Sequence, residues 1–294
     1  IPKSKDRVLR GHLVGQVAND PSLAGTSAAW LAFFCFQQSR FVEAKDYLGM
    51  ALSWTKESDT EARARAYMVV GMGFFYAGDR VKGKLWMHRA RQPAVLSGDI
   101  AMQNIIFCNT AAYLVAQLVL IDCVSTVSAE DLSFASLSSQ SAGNLNAALG
   151  IANQGTIIPL QRADIFTIEK RWAEAIDLFN KYIELAQMDG LATSLPKFLA
   201  QRAWCKANLN DKAGARVDAE LAISGLGKLI DPDDQAVVHY RNAEIASLFG
   251  DPGSCEASLF RAESSITEYR QQQAILLSLF DDIASAEERN KNPA

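Results

Sequence analysis

The residues most able to do chemistry in this chain are three histidines, five cysteines, a handful of carboxylate pairs and one basic run. His12, His88 and His239 have no Cys, His or carboxylate neighbour at metal-ligand spacing. There is no HExxH, GxSxG or Walker A pattern, so zinc hydrolysis, serine esterase chemistry and phosphate-loop chemistry lack their signatures. Gly225-Leu226-Gly227-Lys228 is superficially phosphate-like, but it follows a helical pattern and not a strand, and reads as a helix C-cap. Asp281-Asp282 and Glu287-Glu288 are adjacent, so on a helix they diverge by roughly 100° and cannot act as a facing acid/base pair. They are expected to be solvated. No metal, cofactor or catalytic residue is expected.

The basic run is more informative. Arg80, Lys82, Lys84, His88, Arg89 and Arg91 fall within twelve residues, and Lys84 and His88 share a helical face. With Arg63 and Arg65 upstream, Arg80, Lys84, His88 and Arg91 form a candidate dock for an acidic or phosphorylated peptide. The plainer reading, which we favour, is a solvated helix surface.

Composition narrows the classes. The chain has 294 residues, 49% hydrophobic, and a formal net charge of -4. That is ample for a core and gives no broad electrostatic footprint for nucleic acid. Cys35, Cys108, Cys123, Cys205 and Cys255 are odd in number, form no CxxC pair and sit in apolar helix-like stretches. They read as reduced core residues of a cytoplasmic protein. The chain begins at Ile1, which we read as a trimmed or processed start, and shows no signal sequence. The most apolar run, 111–124, is broken by Gln117 and Asp122 and is shorter than the roughly 20 residues a membrane helix needs. No membrane association is expected.

The elements that position these residues recur. Triples that begin with a small residue, at spacings of 4 and 3, appear as Ala44/Leu48/Ala51, Gly83/Met87/Ala90, Ala175/Phe179/Tyr182, Ala215/Ala219/Ala222 and Cys255/Leu259/Ala262. Each triple shares one helical face. The first members lie at 44, 83, 175, 215 and 255, so three intervals are 39, 40 and 40 and one is 92. The long interval holds two repeats plus roughly 12 extra residues. Residues 58–76 match 98–116 at an offset of 40, which supplies the missing first helix. The extra residues fall in 117–152, a Ser-, Ala- and Asn-rich stretch expected to be an irregular or extended helix. Gly78-Asp79, Gly98-Asp99, Asn210-Asp211 and Gly250-Asp251-Pro252 punctuate the helices: Gly and Asn end them, Asp and Pro start the next.

With these features the sequence resembles the tetratricopeptide family, whose first helix carries small and aromatic positions, followed by a Gly-Asp/Asn turn and an Ala…aromatic…Ala second helix. The resemblance covers about 26–262, best at 162–182, 203–222 and 243–262. It departs from the family in period, 39–40 against about 34, and in Gly83 and Cys255 where Ala is usual. The long period and the Gly-Asp junctions are similar to sensor or scaffold regions of bacterial signalling proteins, where such regions precede output domains. The resemblance implies an all-α, right-handed superhelical solenoid of about six antiparallel helix pairs. The units are 26–56, 58–97, 98–152 with the insertion, 153–190, 193–230 and 233–262. Residues 1–25 form an N-terminal cap and 263–289 a C-terminal capping helix.

In that family the first helices line a concave groove that holds peptides. Carried over residue by residue, the groove positions are Phe33, Phe36 and Gln37; Arg65, Met68, Met72, Phe75 and Tyr76; Cys108 and Ala112; Leu160, Asp164 and Thr167; Lys197, Ala200, Trp204 and Asn208; and Tyr240, Glu244 and Ser247. The first two units would offer an aromatic, Met-rich wall suited to a partner; alternatively the longer helices turn these residues into the core. A homodimer is one way to cover such a wall. Of the Lys, Asn and Arg of the family's carboxylate clamp, only Lys197 and Asn208 match. The expected function is therefore non-catalytic binding of a protein or peptide within a larger cytoplasmic regulator. The alternative is a small-molecule sensor, which requires an enclosed pocket of several hundred Å³.

Overall fold

The computed structural model describes residues 2–150, 155–189, 191–228 and 231–291. The described residues are all-helical: thirteen α-helices account for 85% of them, with no strand. The helices are α1 (Pro2–Val17), α2 (Pro21–Phe36), α3 (Phe41–Trp54), α4 (Thr60–Tyr76), α5 (Arg80–Leu96), α6 (Ile100–Val124), α7 (Ala129–Leu149), α8 (Ile157–Ile168), α9 (Trp172–Met188), α10 (Leu195–Asn208), α11 (Lys212–Ser224), α12 (Pro232–Leu248) and α13 (Pro252–Lys291).

The turns carry the periodicity. Left-handed residues occur at Asn19, Ser39, Gly78, Gly98, Lys170, Asn210 and Gly250, and those that follow α8, α10 and α12 recur every 40 residues. This conformation ends a helix and is least costly for Gly or Asn. The next residue then caps the following helix. Asp20, Asp79, Asp99, Asp211 and Asp251 accept backbone N–H bonds from Leu23, Lys82, Met102, Gly214 and Ser254 at 2.9–3.0 Å. Where Arg replaces Asp, after Ser39 and Lys170, the side chains of Arg40 and Arg171 pair instead with Glu43 and Glu174, three residues on. Gly225 ends α11 in a right-handed conformation and leads into a 3₁₀ turn at Leu226–Lys228.

The chain divides into two compact units. The first comprises residues 1–110 and 272–294. In it α2 packs on α1, α3 and α4, and α4 packs on α5. The small residues at the helix contacts have specific causes. A Cβ on Gly83 would lie 2.7 Å from the Phe75 ring, which explains Gly where Ala is usual. Gly73 likewise leaves room for the ring of Phe280.

That ring belongs to residues 272–291 of α13, which lie against α2, α3, α4 and α5. Leu276, Phe280 and Ile283, spaced 4 and 3, are fully or almost fully buried. Phe280 meets Phe36 and Phe74 at ring separations of 6.0 and 6.1 Å. Burying three such side chains contributes roughly 1.5–3 kcal/mol each. The polar edges are charged: Lys82–Asp281 at 2.7 Å, Lys45–Asp282 at 2.6 Å, Arg89–Glu288 at 2.5 Å and Arg63–Glu287 at 2.7 Å. Gln273 Nε2 also donates to the Tyr76 carbonyl.

The second unit comprises residues 111–271. In it α10 is central, packed on α8, α9, α11 and α12. Its core joins Leu160, Ala175, Phe179 and Phe198, then Ala203, Ala215, Ala219 and Ile245. The Ala triples of α9 and α11 are thus helix-contact residues, as their spacing predicts. In α13 only Ala262 of the fifth triple is buried; Leu259 is 40% exposed.

One expectation is resolved and two need correction. Of the two forms expected for 117–152, the described residues up to 150 show the extended helical one: α6 runs 25 residues to Val124 and α7 another 21, separated by 125–128. The added residues lengthen helices. The expected junction between units three and four touches 151–154, outside the described residues. Also, α6 is longer than the apolar run: Ile100–Val124 is long and apolar enough to cross a membrane by length and composition, and 44% of its most apolar window is buried. Finally, the second helix of the last pair and the expected cap are one 40-residue helix, α13.

Candidate functional site

Most of the groove positions expected in the first two units are interior. Phe36, Arg65, Met68, Met72, Phe75 and Tyr76 are buried, whereas Phe33 is half-exposed and Gln37 exposed. The physical reason is that α4 is packed on several sides, by α2, by α5 and by residues 272–291, so almost every residue from Ala62 to Tyr76 is covered. No open aromatic wall exists there. Arg65 is stacked 3.3 Å from the centroid of Trp30, and desolvation lowers its pKa to about 10.

The basic run lies along α5. His88 and Arg91 are exposed, Arg91 over the Phe107 ring at 4.5 Å, and Arg80 and Lys84 are half-buried. Their neighbours Lys82 and Arg89 meet carboxylates of this chain, Asp281 and Glu288. The adjacent acids are therefore not simply solvated. Because neighbours on a helix diverge, Asp281 reaches α5 while Asp282 reaches α3. Glu287 is 1% exposed and accepts from Arg63 Nη1 at 2.7 Å and the Tyr67 hydroxyl at 2.6 Å.

The second unit brings groove positions together. Asp164 and Thr167 share one face of α8, Lys197, Gln201, Trp204 and Asn208 one face of α10, and Arg241 and Glu244 one face of α12. A polar chain crosses them. Lys197 Nζ donates to Asp234 Oδ1 at 2.7 Å, so Lys197 is a buried ion-pair partner and not an open groove lysine. The Gln201 amide donates to Asp164 at 3.3 Å and accepts from Arg241 Nε at 2.6 Å. Arg241 then donates to Glu244 Oε2 at 2.8 Å and to Asp122 Oδ2, near the end of α6, at 2.5 Å. Arg241 is 1% exposed.

Asp122, Asp164, Asp234 and Glu244 thus lie around two cations, with Asp233 also beside Lys197. Burial shows in the pKa values. Burial lifts the Asp164 carboxyl to about 7 despite Lys197, and lifts that of Glu244 against the pull of Arg241. Burial opposes the Arg241 charge, but the acids more than offset it. Burial also pushes the Cys205 thiol up to about 12, so it stays protonated at neutral pH.

Above this chain is a cavity of about 510 Å³. Trp172 and Trp204, edge to face at 6.2 Å, form an aromatic wall. Thr167, Asn208, Asp122 and Glu244 supply polar groups, and residues 125–127 border the opening. Trp204 and Asn208, both groove candidates, line it; Tyr240 is half-buried outside it. A second cavity of about 660 Å³ lies between α7 and α8, lined in part by Gln140, Asn144, Arg162 and Phe166.

Sequence reasoning missed Arg241, Gln201, Asp122 and Trp172. Only Asp122 left a signal, as the charge interrupting an apolar run. No protein-family model matches the chain, and no curated protein matches it.

Proposed function

We propose that this chain is a non-catalytic binding region: a tetratricopeptide-like, right-handed solenoid of about six helix pairs that holds a peptide or protein segment. It works within a larger cytoplasmic regulatory or signalling protein, and the segment lies across α8, α10 and α12. The observation that carries this reading is the cavity of about 510 Å³ in which groove positions of three successive first helices, Thr167, Trp204, Asn208 and Glu244, converge. Aromatic anchors in a concave, partly enclosed setting are the usual high-energy contacts of an interface. Selecting a displayed random-peptide library on the full chain tests it. Selected peptides should lose about tenfold or more in affinity on Trp204→Ala. Peptides indifferent to Trp204→Ala and to Asn208→Ala would rule the site out.

The cavity volume also supports a second reading, a small-molecule sensor, since ligand pockets typically fall between about 300 and 1,000 Å³. Thermal shifts with a metabolite library that vanish in Trp204→Ala, without any selected peptide, would favour the sensor over the peptide groove.

A further inference from the structure

The polar wall of the cavity is unequally spent. Arg241 takes one oxygen of Asp122 and one of Glu244 and is itself almost sealed from solvent. The second oxygens, Asp122 Oδ1 and Glu244 Oε1, make no hydrogen bond among the described residues, while the two side chains remain 22% and 28% exposed. Both acids line the same cavity as Trp172 and Trp204. Two part-exposed carboxylates that line one cavity with two indole rings suit one chemical class above others. Hydrogen-bond donors carrying positive charge satisfy both oxygens at once and are attracted by the ring faces.

Resting on the binding function proposed above, we infer that the cavity recognises a cationic side chain, a guanidinium or an ammonium, met by Asp122 and Glu244 and walled by Trp172 and Trp204. The surrounding charges agree. Asp122 and Glu244 share the single charge of Arg241, so one further cation completes the local balance. Lys170 stands at the rim with left-handed backbone, but no ion pair joins it to either acid among the described residues. A neutral donor could hydrogen-bond these oxygens but would not offset their charge, and an anionic group would be repelled.

Fluorine NMR of the full chain labelled with fluorotryptophan provides the test, with resonances assigned from Trp172→Phe and Trp204→Phe. The probes are N-acetyl-arginine amide and its neutral isostere, N-acetyl-citrulline amide. The arginine probe should shift the Trp172 and Trp204 signals, the citrulline probe should not, and Glu244→Gln should weaken the response about tenfold. Asp122→Asn, which keeps an acceptor for Arg241, gives a second reading should Glu244→Gln fold poorly. Equal responses to both probes would overturn the charge preference while leaving a binding cavity. No response to either probe, with library peptides still lost on Trp204→Ala, would overturn it while leaving the peptide-binding reading intact.

Discussion

Replacing Phe280 with Ala should loosen residues 272–291 from the first unit, and the cost can be worked from its surroundings. The ring is fully buried, against Phe36 and Phe74, and occupies the space a methyl on Gly73 would need. Deleting a buried Phe to Ala costs about 3–5 kcal/mol, part of it from the cavity left behind. Gly73→Ala alone forces a methyl into the ring; overpacking costs about 1–3 kcal/mol, partly offset by the roughly 1 kcal/mol that Ala gains over Gly within a helix. In the double variant that methyl enters the vacated space, so the combined loss should fall short of the sum by about 1 kcal/mol or more. Denaturant titration of the four proteins measures the cycle, and hydrogen exchange at 272–291 locates it. Additivity within about 0.5 kcal/mol would refute the shared-space argument.

The adjacent glutamates should behave differently. Glu287→Ala removes the buried partner of Arg63 and Tyr67 and should cost about 3 kcal/mol or more, whereas Glu288→Ala breaks a half-exposed pair and should cost under about 1 kcal/mol; equal losses in thermal denaturation would contradict this. Ser39→Gly should stabilise by about 1 kcal/mol by relieving a left-handed non-glycine residue, read as a rise in the denaturation midpoint; a fall would count against it. For Asp164, the folded carboxyl keeps its proton up to about pH 7 while the unfolded one loses it near 3.8. Its contribution is therefore complete below the unfolded value and is lost as pH rises through 7. Asp164→Asn should flatten the stability profile across that window, and an unchanged slope would argue against a buried, protonated Asp164.

The helices and their register were legible because local chemistry sets them. Gly78-Asp79, Asn210-Asp211 and Gly250-Asp251 each combine a left-handed stop with an Asp cap, so residue type alone marks the joint. The small residues at Ala175 and Ala215 likewise announce close helix contacts. The misplaced features depend on contacts distant in sequence. Nothing local distinguishes Met72 in an open groove from Met72 beneath another helix; what covers α4 arrives some 200 residues later. The spacing of Leu276, Phe280 and Ile283 marked an apolar face but not its seat. The candidate site was legible in part for the same reason. Trp204 and Asn208 follow from the resemblance to tetratricopeptide repeats, whereas Arg241 is a buried cation whose partners, Gln201 and Asp122, come from two other helices.

Hydrogen-exchange mass spectrometry of the full chain with and without a library-selected peptide bears most directly on the proposed function. Slowed exchange should centre on 167–172, 204–208 and 241–244, the segments that wall the cavity, and disappear in Trp204→Ala. Protection confined to α4 and 272–291, with the cavity segments unchanged, would contradict a binding site across α8, α10 and α12.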